Sequence, residues 1–401
     1  MRIAFIVIGN SRRSNYLNGF NLRYGNGGGS GTDTSSVLMA EYLAKQGHDV
    51  VFVTEKLEPQ LEQEYQSRGR KYTPGESFYG VRYTNLDFDG IEDKNFDILV
   101  SMLWFHDYNK LPITVSKGLI YWSHMQWIYG INEIMDYTKQ NNLSLGFVHI
   151  SDWEKGMTGD LTESIKNNNT DINVQVTTIP NPIMDEMINQ VLSSNPRRKQ
   201  HKFVFHAAWA RGGNVAVQAV RELDYPDTEF HSFDYLMATH HHQDPFFNLH
   251  NGVDKKTLFT NIAESEYFIY PLYTPYQDVH KDTFSCVVAE AIAMGVIVVT
   301  YPLGALPENF NDYCAWLDAP PGANFEEMQK QQLSKDENEI FTYTDNIVEK
   351  INYLEANPSE KEKLRQGGDQ YILDNFNIDK IGKIWDELIE DLIRIKEEMP
   401  K

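Results

Sequence analysis

The segment Asp282-Thr283-Phe284-Ser285 leads into the apolar run Cys286–Met294, and Glu290 falls inside that run, eight residues after Asp282. A carboxylate in mid-helix on an apolar face is costly unless something pairs with it. The two vicinal hydroxyls of a ribose would satisfy both oxygens of Glu290. The start of the same helix, near Thr283–Cys286, offers backbone N–H groups without intrahelical partners and a partial positive charge, which suits a diphosphate. The alternative for this stretch is a capped structural helix with one satisfied glutamate. A second phosphate candidate is the loop Gly25-Asn26-Gly27-Gly28-Gly29-Ser30-Gly31-Thr32, directly ahead of a helical segment. It is not the dinucleotide fingerprint: Thr32 stands where the third glycine is required, and the loop lies about twenty residues beyond its strand instead of directly after it. No Gly-Lys-Ser/Thr is present, so the Walker pattern fails as well.

Other residues of chemical interest are His124, in Tyr121-Trp122-Ser123-His124-Met125-Gln126-Trp127 just past an expected strand end, and His106-Asp107 after another. Strand ends of a parallel sheet face ligands. Trp104, Trp122 and Trp127 could stack on sugar rings, although core packing explains each equally well. His240-His241-His242 reads as a solvated loop, and no metal site is expected from it.

These residues need elements to hold them. Ile3–Ile8 is a continuous apolar run rich in β-branched residues, as in a strand buried on both faces. Asp33–Gln46 has helical periodicity, with Thr32 or Asp33 as its cap and Gly47 as its stop. Strands are expected at Asp49–Thr54, Phe96–Leu103, Gly118–Trp122, Ser144–Ile150 and Val174–Ile179, alternating with helical or polar segments. Asn181-Pro182 to Asn195-Pro196 reads as a linker. A new βα series then runs through Lys202–His206, Thr228–Phe233, Tyr267–Tyr270 and Val296–Tyr301, and the tail from Thr344 to Lys401 reads as amphipathic helices. The expectation is α/β, with two doubly wound parallel sheets.

The chain has 401 residues and a formal net charge of −21. That length carries about two to three domains. The acidity argues against nucleic acid and against docking on an anionic membrane. It is unevenly spread. Residues 1–32 contain no acid but have Arg2, Arg12, Arg13 and Arg23; residues 187–221 again contain none, and have Arg197, Arg198, Lys199, Lys202, Arg211 and Arg221. Such gaps in an acidic chain mark sites for an anionic ligand. Two cysteines, Cys286 and Cys314, give no disulfide framework and fit a reducing compartment. The N-terminal apolar run is too short for a signal peptide, so a soluble, cytoplasmic protein is expected.

Taken in order, the motifs resemble those of retaining glycosyltransferases of the GT-B fold, in the large family four of the sucrose-synthase and glycogen-synthase type (glycosyl transferases group 1). Asp282-x7-Glu290, Ala291, Ala293, Gly295, Val298 and Gly304…Glu308 resemble the signature E-G-F-G…E-A-x-A-x-G-x-P-V-V…G…E. Met39-Ala40-x-x-Leu43 with Gly47-His48-Asp49-Val50 resembles the family's L-A-x-x-L…G-H-e-V. Gly29-Ser30-Gly31 falls at its donor loop, Ile179-Pro180-Asn181-Pro182 resembles the interdomain I-P-N-G, and Asn357-Pro358…Phe376 resembles its C-terminal helices. The similarity spans nearly the whole chain. Two positions depart from it: Asp282 replaces the commoner Glu, and the R-x-x-x-K-G phosphate motif reads Ala207-Ala208-Trp209-Ala210-Arg211-Gly212. Arg211 can replace the lysine, with a planar fork in place of a point charge. Ala207 cannot replace the arginine, so that phosphate contact is either missing or supplied from elsewhere, with Arg12, Arg13 and Arg23 as the candidates.

The resemblance implies two Rossmann-like domains facing a central cleft: 1–185 for the acceptor, 186–375 for the nucleotide sugar, and a C-terminal helix, 376–401, packing back on the first. It implies transfer of a sugar from a UDP- or GDP-linked donor to a hydroxyl of a glycan, glycoprotein or small acceptor, without metal or cofactor. Glu290 would hold the ribose, Arg211 and Gly212 the diphosphate along with the amides of Phe284–Ser285, and Asp282 and Thr283 the donor sugar. Gly29, Ser30 and Gly31 would close over the phosphates and His124 would lie beside the transferred sugar. Arg12, Arg13, Trp104, His106 and Trp127 are the acceptor candidates. Two rival readings are a nucleotide-sugar epimerase of GT-B-like fold and a catalytically weak nucleotide-sugar-binding protein; a dehydrogenase would rest on the glycine loop alone.

Overall fold

The computed structural model describes residues 1–8, 17–25, 30–56, 63, 67, 74–103, 105, 107–168, 172–234, 244–272, 281–318 and 337–398. The chain forms two compact units, Met1–Ile183 with Phe376–Lys401, and Met184–Asn375.

Among the described residues the first unit has eight strands: β1 (Arg2–Ile8), β2 (Asp49–Thr54), β3 (Ser77–Phe78), β4 (Val81–Asn85), β5 (Asn95–Leu103), β6 (Thr114–Trp122), β7 (Ser144–His149) and β8 (Val174–Thr178). Their order is β3-β4-β2-β1-β5-β6-β7-β8. All neighbours are parallel except β3 and β4. That antiparallel pair turns through Tyr79 and Gly80, both at positive φ, the backbone a two-residue hairpin requires. Ile3–Val7 of β1 is completely buried, as a central parallel strand covered on both faces must be.

Helices α1 (Gly19–Tyr24), α2 (Gly31–Lys45), α3 (Ile131–Gln140) and α4 (Asp152–Asn168) belong to this unit. Helix α2 starts at Gly31, two residues earlier than its periodicity predicts, because Ser30 is the cap. Ser30 Oγ accepts from the Asp33 N–H at 3.2 Å, and the Ser30 N–H donates to Asp33 Oδ2 at 2.9 Å. This reciprocal capping box satisfies two otherwise orphaned donors.

In the second unit a six-stranded, all-parallel sheet has the order β11-β10-β9-β12-β13-β14. Its strands are β9 (Lys202–His206), β10 (Glu229–Asp234), β11 (Phe247–Asn251), β12 (Tyr267–Tyr270), β13 (Ile297–Thr300) and β14 (Cys314–Trp316). Its helices are α5 (Asp185–Ser193), α6 (Gly213–Leu223), α7 (Lys255–Glu264), α8 (Cys286–Ala293), α9 (Leu306–Phe310), α10 (Glu337–Ala356), α11 (Pro358–Arg365) and α12 (Gly368–Phe376). Helix α5 lies in the stretch that reads as a polar linker: Met187, Ile188 and Val191 form a short buried stripe that polar neighbours mask in the sequence.

The last helix, α13 (Ile378–Glu398), returns to the first unit. Ile381, Trp385, Leu388, Ile389 and Leu392 recur at helical spacing and are buried. Trp385 lies 6.3 Å from the Phe5 ring and 4.7 Å, edge-on, from Trp122 at the end of β6. Tyr42 OH of α2 donates to Asp386 at 2.7 Å, and Ser144 Oγ donates to the Leu392 carbonyl at 2.9 Å. Among the described residues no helix is long and apolar enough to cross a membrane.

Candidate functional site

Three side chains meet at the ends of β9 and β12. Arg211 follows β9 in a single 3-10 turn, closed by Gly212 at φ 106°. Gly213 opens α6 where a Cβ would lie 2.4 Å from the Trp209 ring, so the loop can fold this tightly only with glycine there. Arg211 Nη1 donates to Asp282 Oδ1 in a short ion pair and to Tyr270 OH at 2.7 Å. Tyr270 OH in turn donates to Asp282 Oδ2 at 2.7 Å. Burial, then the Asp282 charge, hold the Tyr270 phenol well above its ordinary range, against the opposing pull of Arg211, so it remains a donor. Asp282 is 7% exposed, whereas the Arg211 side chain is 32% exposed. Arg211 therefore does not stand open as a lone cation: Asp282 compensates its charge and fixes its plane.

The backbone of residue 282 is clamped too. The Ala305 N–H donates to the Asp282 carbonyl at 2.8 Å. Gly304, at φ +62°, lies so close that a Cβ would meet that carbonyl oxygen at 2.3 Å. Gly304→Ala is therefore expected to cost about 2–4 kcal/mol, from left-handed strain plus overpacking against backbone that cannot yield. Urea unfolding measures it, and an unchanged midpoint would refute the clamp.

Helix α8 begins after Ser285, which has φ 76° and ψ 79° and a buried hydroxyl with no hydrogen-bond partner among the described residues. A non-glycine residue in that region stores about 1–3 kcal/mol of strain. Phe284 is core, its ring 5.8 Å and edge-on from Phe310, so only its backbone can meet a ligand; Thr283 is half-buried. One turn further, Glu290 is 1% exposed, and neither carboxylate oxygen has a hydrogen-bond partner among the described residues. Lys255 Nζ, at the start of α7, is 3.8 Å from Glu290 Oε1. Burial raises the Glu290 carboxyl above its ordinary value and Lys255 opposes the rise. A buried carboxylate left in this state calls for an explanation, and its two oxygens are chemically suited to accept from two adjacent hydroxyl donors.

In the first unit, His124 follows β6 and is 8% exposed. Its Nδ1 is 3.3 Å from Thr32 Oγ1 in the first turn of α2, and its ring is 4.8 Å from Trp122. The structure thus brings His124 to the α2 N-terminus, beside Gly31 and the Ser30 cap. Trp127 is 48% exposed on the turn after β6. Arg23, a candidate for the missing phosphate contact, is committed elsewhere. Its two terminal nitrogens bind Glu41 at 2.9 and 2.7 Å, and its guanidinium lies 4.2 Å over the Tyr79 ring. Arg12, Arg13, Gly29, Trp104, His106 and the run His240-His241-His242 lie outside the described residues. Elsewhere, His201, Glu266 and Glu355 converge, but Lys361 Nζ already sits 2.6 Å from both carboxylates, occupying the position of a cation.

Burial pushes His124 down to about 3. His206, at the end of β9, is also pushed down to about 3, by burial and then by the Lys255 charge. Both rings stay neutral in the folded protein while the unfolded chain takes up protons below about pH 6.5. Their stabilisation is complete above that pH and is lost as the pH falls toward 3. Each is expected to forfeit about 1–2 kcal/mol between pH 7 and pH 5. His124→Gln and His206→Gln should each flatten the stability–pH curve over that interval relative to the unaltered protein; parallel curves would contradict the burial argument.

Sequence reading alone gives no site role to Tyr270, Lys255 or Thr32. The first is indistinguishable from an apolar strand residue, and the others from a solvated charge and an ordinary helix-start hydroxyl.

No family model matches the sequence, and no curated protein matches it. Solved structures do. Sucrose-phosphate synthase from Thermosynechococcus elongatus superposes with a TM-score of 0.63 at 13% identity, over 98% of this chain and 99% of that one. The pneumococcal O-GlcNAc transferase GtfA, solved with UDP and GlcNAc, gives 0.58 at 11% identity, over 98% and 99%. HepE of Anabaena, solved with UDP-glucose, gives 0.55 at 10% identity, over 98% and 100%. The chain has the two-sheet α/β fold of the GT-B, group 1-like glycosyltransferases.

Proposed function

We propose that this chain transfers a sugar from a nucleotide diphosphate sugar to an acceptor hydroxyl with retention of anomeric configuration. The observation that carries this reading is Glu290: a carboxylate enclosed in the second unit, both oxygens without hydrogen-bond partners among the described residues, on the helix that the strained Ser285 precedes as its cap residue. The ribose diol supplies the two donors that Glu290 lacks. The diphosphate takes the amides at the start of α8. Because Arg211 is already paired with Asp282, most of the favourable potential comes from those amides, with Arg211 adding an oriented contact. Asp282 accepts from hydroxyls of the transferred sugar.

Negative charge grows on the departing diphosphate, so donors fixed in advance are the main expected source of rate. The acceptor's proton passes to that phosphate oxygen on the same face, which needs no protein nucleophile and no metal. His124, neutral at working pH, contributes a hydrogen-bonding ring to the sugar, and Trp127 an exposed aromatic face to the acceptor. The acceptor is a glycan, glycoprotein or small hydroxyl compound, and the reducing cytoplasm suits the buried thiols Cys286 and Cys314.

UDP is the first donor nucleotide to test, since HepE and GtfA were solved with UDP compounds. UDP-, GDP- and ADP-sugars are to be screened by thermal shift, because a ligand that binds only the native state raises its melting temperature. Binders then go to transfer assays with labelled donor. Stabilisation by one nucleotide class, followed by slow donor hydrolysis or transfer, is expected. A new nucleotide sugar formed from donor alone would mean epimerisation, and the absence of any stabilisation would overturn the reading.

A further inference from the structure

Lys255 and Glu290 are both buried, at 4% and 1% exposure, on the first turn of α7 and the middle of α8. Their separation of 3.8 Å makes an ion pair without a hydrogen bond. A pair that served stability alone would be expected to close, since desolvating two charges is repaid only by good geometry and further hydrogen bonds. Here the ammonium lies 5.2 Å over the Phe259 ring, and Glu290 keeps both oxygens available. We propose that Lys255 is a positioning residue for the nucleotide's ribose: it compensates the charge of Glu290 from one side without consuming its acceptors, leaving an acceptor-only group for a vicinal diol. This rests on the donor reading above and makes a ribonucleotide, as opposed to a deoxy or dideoxy one, the ligand class of the pocket.

Lys255 is the charged group acting on Glu290, and its ammonium also bears on His206, at the end of β9. Without Lys255, burial acts on Glu290 unopposed and the carboxyl takes up a proton at higher pH. A protonated carboxyl offers a donor where the diol needs an acceptor.

The test has two arms. In the ligand-free arm, melting temperatures of the unaltered chain, Lys255→Met and Lys255→Met/Glu290→Gln are followed from pH 5 to pH 8. A carboxyl whose folded pKa is raised gives stability that is present at low pH and lost as the pH rises. Lys255→Met should therefore lose several degrees more than the unaltered chain over that range, and the double variant should not. A pH-independent loss that Glu290→Gln fails to relieve would overturn the proposal.

In the ligand arm, UDP, GDP and ADP are titrated calorimetrically at pH 7, each against its 2′,3′-dideoxy counterpart. Lys255→Met should weaken the ribonucleotide about tenfold or more and the dideoxy compound less than twofold. Equal losses for both would indicate a merely structural lysine and sink the idea. If none of the three nucleotides binds the unaltered chain, the donor reading fails and the ribose assignment with it, while the ligand-free arm still decides whether Lys255 compensates Glu290.

Discussion

Replacing Glu290 with Gln is expected to lower kcat/KM for the donor by about 10²–10⁴-fold, corresponding to two hydrogen bonds to a charged acceptor at about 1.5–3 kcal/mol each. Glutamine has nearly the same shape but offers a single acceptor oxygen and an amide that donates, so it cannot take both hydroxyls of a diol. Loss of fold would not account for the effect. Burial of the ionised carboxylate is a cost at neutral pH, and the substitution removes it while leaving Lys255 without its counter-charge. These act in opposite senses, so the melting temperature should shift by about 2–4 °C or less for a domain of this size. Initial rates over a range of donor concentrations, together with a melting curve, check both halves. A folded Glu290→Gln protein with near-normal turnover would remove the basis for the donor site.

Glu290 was legible in the sequence because a charge within Cys286–Met294 breaks an otherwise apolar pattern, and such a break needs a physical reason. The strands were legible for the same kind of cause: β1, β2, β5, β12 and β13 are short apolar runs, and burial on both faces leaves no other composition for them. Pairings between remote residues were not legible. Arg211 and Asp282 are 71 residues apart, and nothing local says that one neutralises the other. Tyr270 reads as one more aromatic in Tyr267–Tyr270; only the sheet order, which sets β12 beside β9, brings its hydroxyl between them. Arg23 shows the opposite error. An arginine in an acid-free stretch looked available to a phosphate, but Glu41, one helix later, had already engaged it. Acid-free windows in the chain are not acid-free surroundings in the fold.

Asp282→Ala is expected to separate nucleotide binding from transfer, lowering kcat by about 10²-fold or more while UDP affinity holds or rises. The carboxylate accepts from Arg211 and from Tyr270 OH, and it cancels the cation that would otherwise face a diphosphate. Removing it frees the Arg211 charge, and each 1.4 kcal/mol gained on the phosphates is about tenfold in affinity. On the proposed reading the transferred sugar loses its acceptor, and Arg211 loses the partner that fixed its plane, so groups that must be in place as the bond breaks are no longer held. The stability cost falls mainly on Tyr270, which is 1% exposed and left with a donor facing nothing, at about 1–3 kcal/mol. Arg211 is about a third exposed and rehydrates, so its share is small. Adding Tyr270→Phe to Asp282→Ala should recover part of that stability, because the orphaned hydroxyl goes with it, but none of the turnover. Calorimetric UDP binding and steady-state transfer on the two folded variants decide the matter: if UDP affinity falls in step with kcat, Asp282 serves the nucleotide and its assignment to the sugar is wrong.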